Sequence, residues 1–189
     1  MLLAHAGNRI DAEDRAEPRF PTTQVGIVTE VIARALGDLR PSSVVSAAAN
    51  GADLIVLAEA QRRGIATHVV LPLPANAFLE TSVAGADPSW VEMYCRVLDT
   101  AGTSPGSTVE TLDLDAESEW YLIANGLILQ RARAVARHDE AIVAMTVRPT
   151  EGETPPSATD DFARLAAEAG LTVLTIDPRP GRTGPLRIT

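Results

Sequence analysis

Val44–Gly64, VVSAAANGADLIVLAEAQRRG, is the stretch whose reading decides the fold. It begins as a short aliphatic run and passes through Ser46-Ala47-Ala48-Ala49-Asn50-Gly51. It then continues into a segment of helical composition that ends at Arg62-Arg63-Gly64. An acid in the first turn (Asp53), two bases in the last and a glycine beyond them suit the helix dipole and a C-terminal cap. A strand that feeds a helix through small residues opens a β-α-β unit. Small residues are wanted where something approaches the backbone closely. The expectation is that a ligand makes that approach, with the alanines and Gly51 leaving room for it.

The flanking sequence repeats the pattern. Leu2–Ala6 reads as a first strand, with Gly7-Asn8-Arg9 at its exit and a polar loop over 11–19. Pro21-Thr22-Thr23 opens a helix with an apolar stripe at Val25, Val28, Val31, Ile32, Ala35 and Leu36. Thr67–Leu71 is a third strand, stopped by Pro72. Further on, Ser89-Trp90-Val91-Glu92 has capping-box spacing and predicts a helix to about residue 101. A short edge strand is predicted over 111–115 and a long helix over 117–137. A strand over 141–147, a helix over 159–169 closed by Gly170 and a last strand over 171–176 complete the chain. Aliphatic strands alternating with helices predict an α/β fold: a doubly wound, mostly parallel sheet with helices on both faces. Residues 1–178 read as a single domain and 179–189 as a flexible tail.

Composition narrows the function. Of 189 residues 46% are hydrophobic and 4% aromatic, so an aliphatic core is within reach. The formal charge of −9 argues against a nucleic-acid backbone as the main partner and leaves room for a small nucleotide held by local donors. A single cysteine, Cys95, excludes an internal disulfide framework and fits a reducing, cytoplasmic setting. At helical spacing from Val91 and Leu98, it is expected to be a buried small hydrophobe. No apolar run reaches the roughly 20 residues of a membrane span. No His/Cys cluster has metal spacing and no G-x-S-x-G elbow is present, so neither a metal nor a cofactor is expected.

Ligands of parallel sheets bind outside the C-terminal strand ends. That rule gathers Gly7, Asn8 and Arg9 after the first strand, and Ser46, Ala47, Asn50 and Gly51 after the second. Thr146 after a later strand and Thr159 at a helix start join them. Asn125 lies inside the long helical pattern, where asparagine is a poor helix former, and so is read as facing the cleft.

Five stretches in order resemble the SLOG superfamily: AHAGNRID, SAAANGADLIVLAEAQRRG, HVVLPLPANAFLETSV, YLIANGLIL and SATDDFARLAAEAGLTVLTIDP. That superfamily includes LOG-type phosphoribohydrolases, the DNA-processing protein DprA, and sensor domains for nucleotide-derived signals. The resemblance covers residues 2–177 and looks closest to a bacterial subgroup associated with signalling modules. It implies a Rossmann-like fold and pairing through helices, here 117–137 and 90–98, into a homodimer. It implies that Gly7, Asn8 and Arg9 contact a base or phosphate, that Ser46, Gly51 and Asp53 form the second loop, and that Glu59, Asn125 and Thr159 occupy positions related chains use. The sequence departs from the family's Gly-Gly-x-Gly-Thr-x-x-Glu stretch, where Pro156, Ser157 and Ala158 replace the glycines.

Asp53, Glu59 and Asp161 are the candidate catalytic residues. Each also has a structural reading: a dipole partner, a solvated helix face and a first-turn acid, respectively. The leading functional expectation is binding of a nucleotide-derived small molecule, such as ADP-ribose or an adenine nucleotide, by a sensor module without a nucleic-acid or membrane partner. The alternatives are an N-glycosidic hydrolase and an interaction module with a degenerate pocket.

Overall fold

A computed structural model describes residues 1–85, 87–112, 114, 120–150, 157–184 and 187–188. Its sheet contains β1 (Leu2–Gly7), β2 (Ser43–Ser46), β3 (Ala66–Leu71), β4 (Thr108–Thr111), β5 (Ile142–Val147), β6 (Thr172–Ile176) and β7 (Arg187–Ile188). The helices are α1 (Val25–Leu39), α2 (Ala52–Arg62), a single turn α3 (Ala75–Phe78), α4 (Ser89–Thr103), α5 (Trp120–Val135) and α6 (Ala158–Glu168). The strand order is β4-β3-β2-β1-β5-β6-β7. β1 to β6 are all parallel, and β7 alone runs antiparallel, beside β6. The chain winds outward from β1 to β4, then crosses back to β5 and winds the other way. The order therefore reverses between β1 and β5, and a crevice opens there at the carboxyl ends.

Alternation along each strand divides the core in two. Leu3, Val44, Val69, Met145 and Leu174 pack with α1, α2 and α4. Leu2, Ala4, Val45, Ala144 and Val173 pack with α5 and α6 on the opposite face. Both faces are covered, which is why the strands read as unbroken aliphatic runs. On α1 the expected stripe supplies Val28, Ile32, Ala35 and Leu36 to the core. α2 lies between α1 and α4, and every residue from Ala52 to Leu57 is buried.

Several local expectations are corrected. The edge strand forms at Thr108–Thr111 rather than over 111–115, because His68 to Leu71 offer partners to Thr108 through Thr111. Residues 113 and 115 lie outside the described residues, as do 117–119 at the start of the long helix. Ser89 does not cap α4. The cap residue is Pro88, and the Asp87 carboxylate accepts from the Ser89 N–H at 2.8 Å. The capping box belongs to α6, where Ser157 and Asp160 hydrogen-bond reciprocally. Cys95 is exposed, because Trp90, Tyr94, Val97 and Ala101 form the buried stripe of α4. The expected flexible tail returns to the sheet as β7. Among the described residues no helix is long and apolar enough to cross a membrane.

Candidate functional site

The exit loops of β1 and β2 meet the N-terminus of α2 at the crevice. Gly7 and Gly51 decide how closely they meet. A Cβ at Gly7 would stand 2.3 Å from the Ala52 Cβ, and one at Gly51 would stand 2.8 Å from the Asn8 carbonyl oxygen. Gly51 also has φ of +89°, a conformation that side chains disfavour. Its smallness therefore serves protein–protein contact and not the ligand. Asn50 closes the same bracket: its Oδ1 accepts from the Ile10 N–H at 3.3 Å and its Nδ2 donates to Val83 O at 3.0 Å. The small residues that do face open space are Ala47 and Ala49.

The space they leave is a cavity of about 440 Å³. Gly7, Asn8 and Arg9 form one side, Asp53 the base, and Asn125 and Thr159 the opposite wall. These six residues, together with Ala47, are the part of the sequence expectation that the fold brings together. Ser46, Asn50, Gly51 and Thr146 do not line it. Thr146 is fully buried between strands, with its hydroxyl 2.9 Å from that of Thr175.

The rim is cationic. After β1 the chain folds around Asp11, whose Oδ2 accepts from the N–H groups of Arg19 and Phe20 at 2.8 Å each, while Arg15 Nε lies 3.4 Å from Oδ1. This brings Arg15 and Arg19 to the cavity beside Arg9. Arg9 is steadied by a bond from Nη1 to Thr81 O at 3.0 Å. Sequence reasoning assigned residues 11–19 to a polar loop and missed both arginines. The signal was their recurrence after a strand exit, in a chain whose sixteen basic residues are all arginine. Aromatic rings stand opposite. Trp120 meets Phe78 edge-on at 6.0 Å, and Tyr121, 41% exposed, meets Trp120 at 5.9 Å.

Polar groups in the walls differ in how far they are satisfied. Asn125 Nδ2 donates to Ala158 O at 2.8 Å and to Asp161 Oδ2 at 3.1 Å, tying α5 to α6. Asn8 is buried, and its Nδ2 has no hydrogen-bond partner among the described residues. A buried donor left unmade costs free energy, so it is available to an incoming acceptor.

The three candidate acids separate. Asp161 is held by Asn125 and Arg164 and does not line the cavity. Glu59 is buried more than a turn further along α2, gripped by Arg62 and Arg63, also away from the cavity. Asp53 does line it. Its Oδ1 accepts from the Gly7 N–H at 3.0 Å and lies 3.5 Å from His5 Nε2. Burial pushes the Asp53 carboxyl up to about 7, although the Gly7 N–H and the Arg9 charge oppose the rise. Burial likewise pushes His5 down to about 4.

No family model matches the chain, and no curated protein matches it. Among solved structures there is a match in overall shape. The chain is similar in fold to DNA processing protein A from Helicobacter pylori. The TM-score is 0.56 at 16% sequence identity, over 97% of this chain and 68% of that one. The likeness shows the Rossmann-like α/β fold. It also overturns two expectations. That structure concerns binding of single-stranded DNA, so the exclusion of nucleic acid and the small-molecule ligand are both withdrawn. The physical error was to read a net charge as a local one. Nine excess negative charges describe the whole surface, whereas a strand meets only the potential at the cleft.

Proposed function

We propose that the chain binds single-stranded nucleic acid and draws one unpaired nucleotide into the cavity between β1, α2 and α5. The observation that carries this reading is the meeting of three arginines and exposed aromatic surface in one recess: Arg9, Arg15 and Arg19 with Trp120 and Tyr121. Non-specific single-strand binding needs those two elements, a cationic track for phosphates and flat rings on which bases stack. The Asn8 amide supplies a donor for a base or phosphate oxygen, and Asn125 and Thr159 stand where a sugar or base edge would face them. A recess of this size takes an unstacked base and excludes a paired one. The likeness to a single-stranded-DNA-binding protein supports the same reading.

The acidic remainder of the surface limits the footprint. Few phosphates are contacted, so affinity is modest and the salt dependence shallow, at about 0.7 of a counterion for each phosphate neutralised. Fluorescence anisotropy with a labelled oligothymidylate at low salt, against a hairpin duplex of equal length, tests the reading. The single strand is expected to bind more tightly. Arg9→Ala is expected to weaken it by about 1.5–3 kcal/mol, the scale of a hydrogen bond to a charged group. Equal affinity for strand and duplex, or no effect of Arg9→Ala, overturns it.

A further inference from the structure

At the base of the cavity, two buried titratable side chains face each other. His5 is 0% exposed and Asp53 5%. The strand register sets His5 beside Ser46 on β2 and Met145 on β5. His5 Nδ1 lies 2.9 Å from Met145 O. A carbonyl oxygen can only accept, so Nδ1 carries a hydrogen. In a neutral ring Nε2 is then a bare lone pair. It has no hydrogen-bond partner among the described residues and stands 3.5 Å from Asp53 Oδ1, another acceptor. Two acceptors aimed at each other at this distance repel unless a proton lies between them. The geometry therefore requires one proton on the pair, on either His5 or Asp53. Burial decides the owner, because the neutral pair is favoured over two charges in a low dielectric. The shifts of both groups run in that direction.

We propose that His5 and Asp53 store one proton under the nucleotide and that only the protonated pair admits a phosphate, which makes Asp53 a specificity-determining residue of the cavity. The inference rests on the nucleic-acid reading above and deepens it. With the proton in place, Asp53 is neutral and the rim arginines present an undiminished positive field. When the proton leaves, a carboxylate at the base faces the incoming anion and also draws on the charge of Arg9.

Among the described residues no other group near Asp53 does this. From the β1 loop, the guanidinium groups of Arg9, Arg15 and Arg19 line the cavity, and Asp11 is engaged by backbone N–H groups and Arg15. From α5 the titratable neighbour is the phenol of Tyr121. From α6, Asp160 and Asp161 are paired with Arg148 and Arg164. On α2 itself, Glu59 is paired with Arg62 and Arg63. Ser46 on β2 does not titrate in this range.

Anisotropy with a labelled oligothymidylate at fixed ionic strength, from about pH 6 to 8.5, tests the coupling. Affinity is expected to be level below neutrality. Above it, affinity falls by up to about tenfold per pH unit, the limit for one linked proton. Asp53→Asn, which keeps an acceptor for Gly7, is expected to bind with no such dependence and more tightly than the native chain at the upper end. A native chain that binds with level affinity throughout overturns the coupling and leaves the nucleic-acid reading intact. Absence of binding at every pH overturns both. The proton itself is checked without nucleic acid by carboxyl-carbon NMR of Asp53. A midpoint near 7 supports the stored proton, and a carboxylate already ionised at about pH 5 overturns it.

Discussion

Helix α2 carries two buried acids less than two turns apart, and they have opposite fates. Glu59 is 4% exposed and Asp53 5%. Glu59 has two guanidinium partners, Arg62 and Arg63, with Arg63 Nη1 at 2.6 Å. Asp53 accepts from the Gly7 N–H at 3.0 Å, with the Ala49 backbone, the Ser46 hydroxyl and the Arg9 charge as further but insufficient support, and its histidine cannot serve as a counter-ion, because the same burial keeps that ring neutral. Equal burial therefore does not mean equal chemistry. Compensation separates a structural acid from one whose charge can change. The compensated acid lies away from the cavity, and the under-compensated one lies at its base.

The most severe way to break this contrast is to move α2 away from β1. Gly51→Val places carbon against the Asn8–Ile10 backbone in a conformation that valine resists. A loss of about 3 kcal/mol or more in folding free energy is expected, measured by urea denaturation. Oligonucleotide binding should fall with it.

Next in size is the pH profile of stability. In the native pair the two shifts offset each other. Asp53 is raised to about 7, so its contribution is present below its unfolded value and is lost as pH rises through 7. His5 is lowered to about 4, so its contribution is present above its unfolded value and is lost as pH falls through 4. Folding thus hands one proton from imidazole to carboxyl, and the pair contributes almost no slope between those limits. His5→Gln removes one side. Stability should then decline from about pH 4 to 7 by up to about 1.4 kcal/mol per unit, as seen in denaturation midpoints across that range. A profile parallel to that of the native chain would mean that Asp53 is not raised.

Smaller effects sharpen the contrast by applying the same isosteric change to each acid. Glu59→Gln should cost about 1–2 kcal/mol near pH 6. It removes two charge-assisted bonds, one of them to an arginine that is already largely solvated. Asp53→Asn should cost less than about 0.5 kcal/mol at that pH, because it replaces one neutral acceptor by another. Equal losses would erase the distinction between the two sites.

Much of the fold was legible because burial on both faces leaves a simple imprint. Strands such as Leu2–Gly7 and Thr172–Ile176 are aliphatic runs, and α1 keeps its period. The strand-end rule likewise gathered Gly7, Asn8 and Arg9, and the family resemblance added Asp53. The rest was hidden for definite reasons. The two glycines of the α2 bracket look like room for a ligand until the opposing backbone is in place. Arg15 and Arg19 reach the cavity because the loop coils around Asp11, and no spacing rule encodes that. His5 and Asp53 are 48 positions apart, and their relation depends on which ring nitrogen Met145 occupies. Capping-box spacing was read at Ser89, whereas the box at Ser157 was not read from the sequence. Only the second formed, since Asp87 serves α4 instead.

The seventh strand has a consequence for self-association. An open parallel sheet exposes two rows of unpaired amides and carbonyls, the usual template for runaway edge-to-edge aggregation. Here β7 reverses direction across β6, and the opposite border ends in β4, only four residues long and bearing Glu110. Neither border invites a further strand.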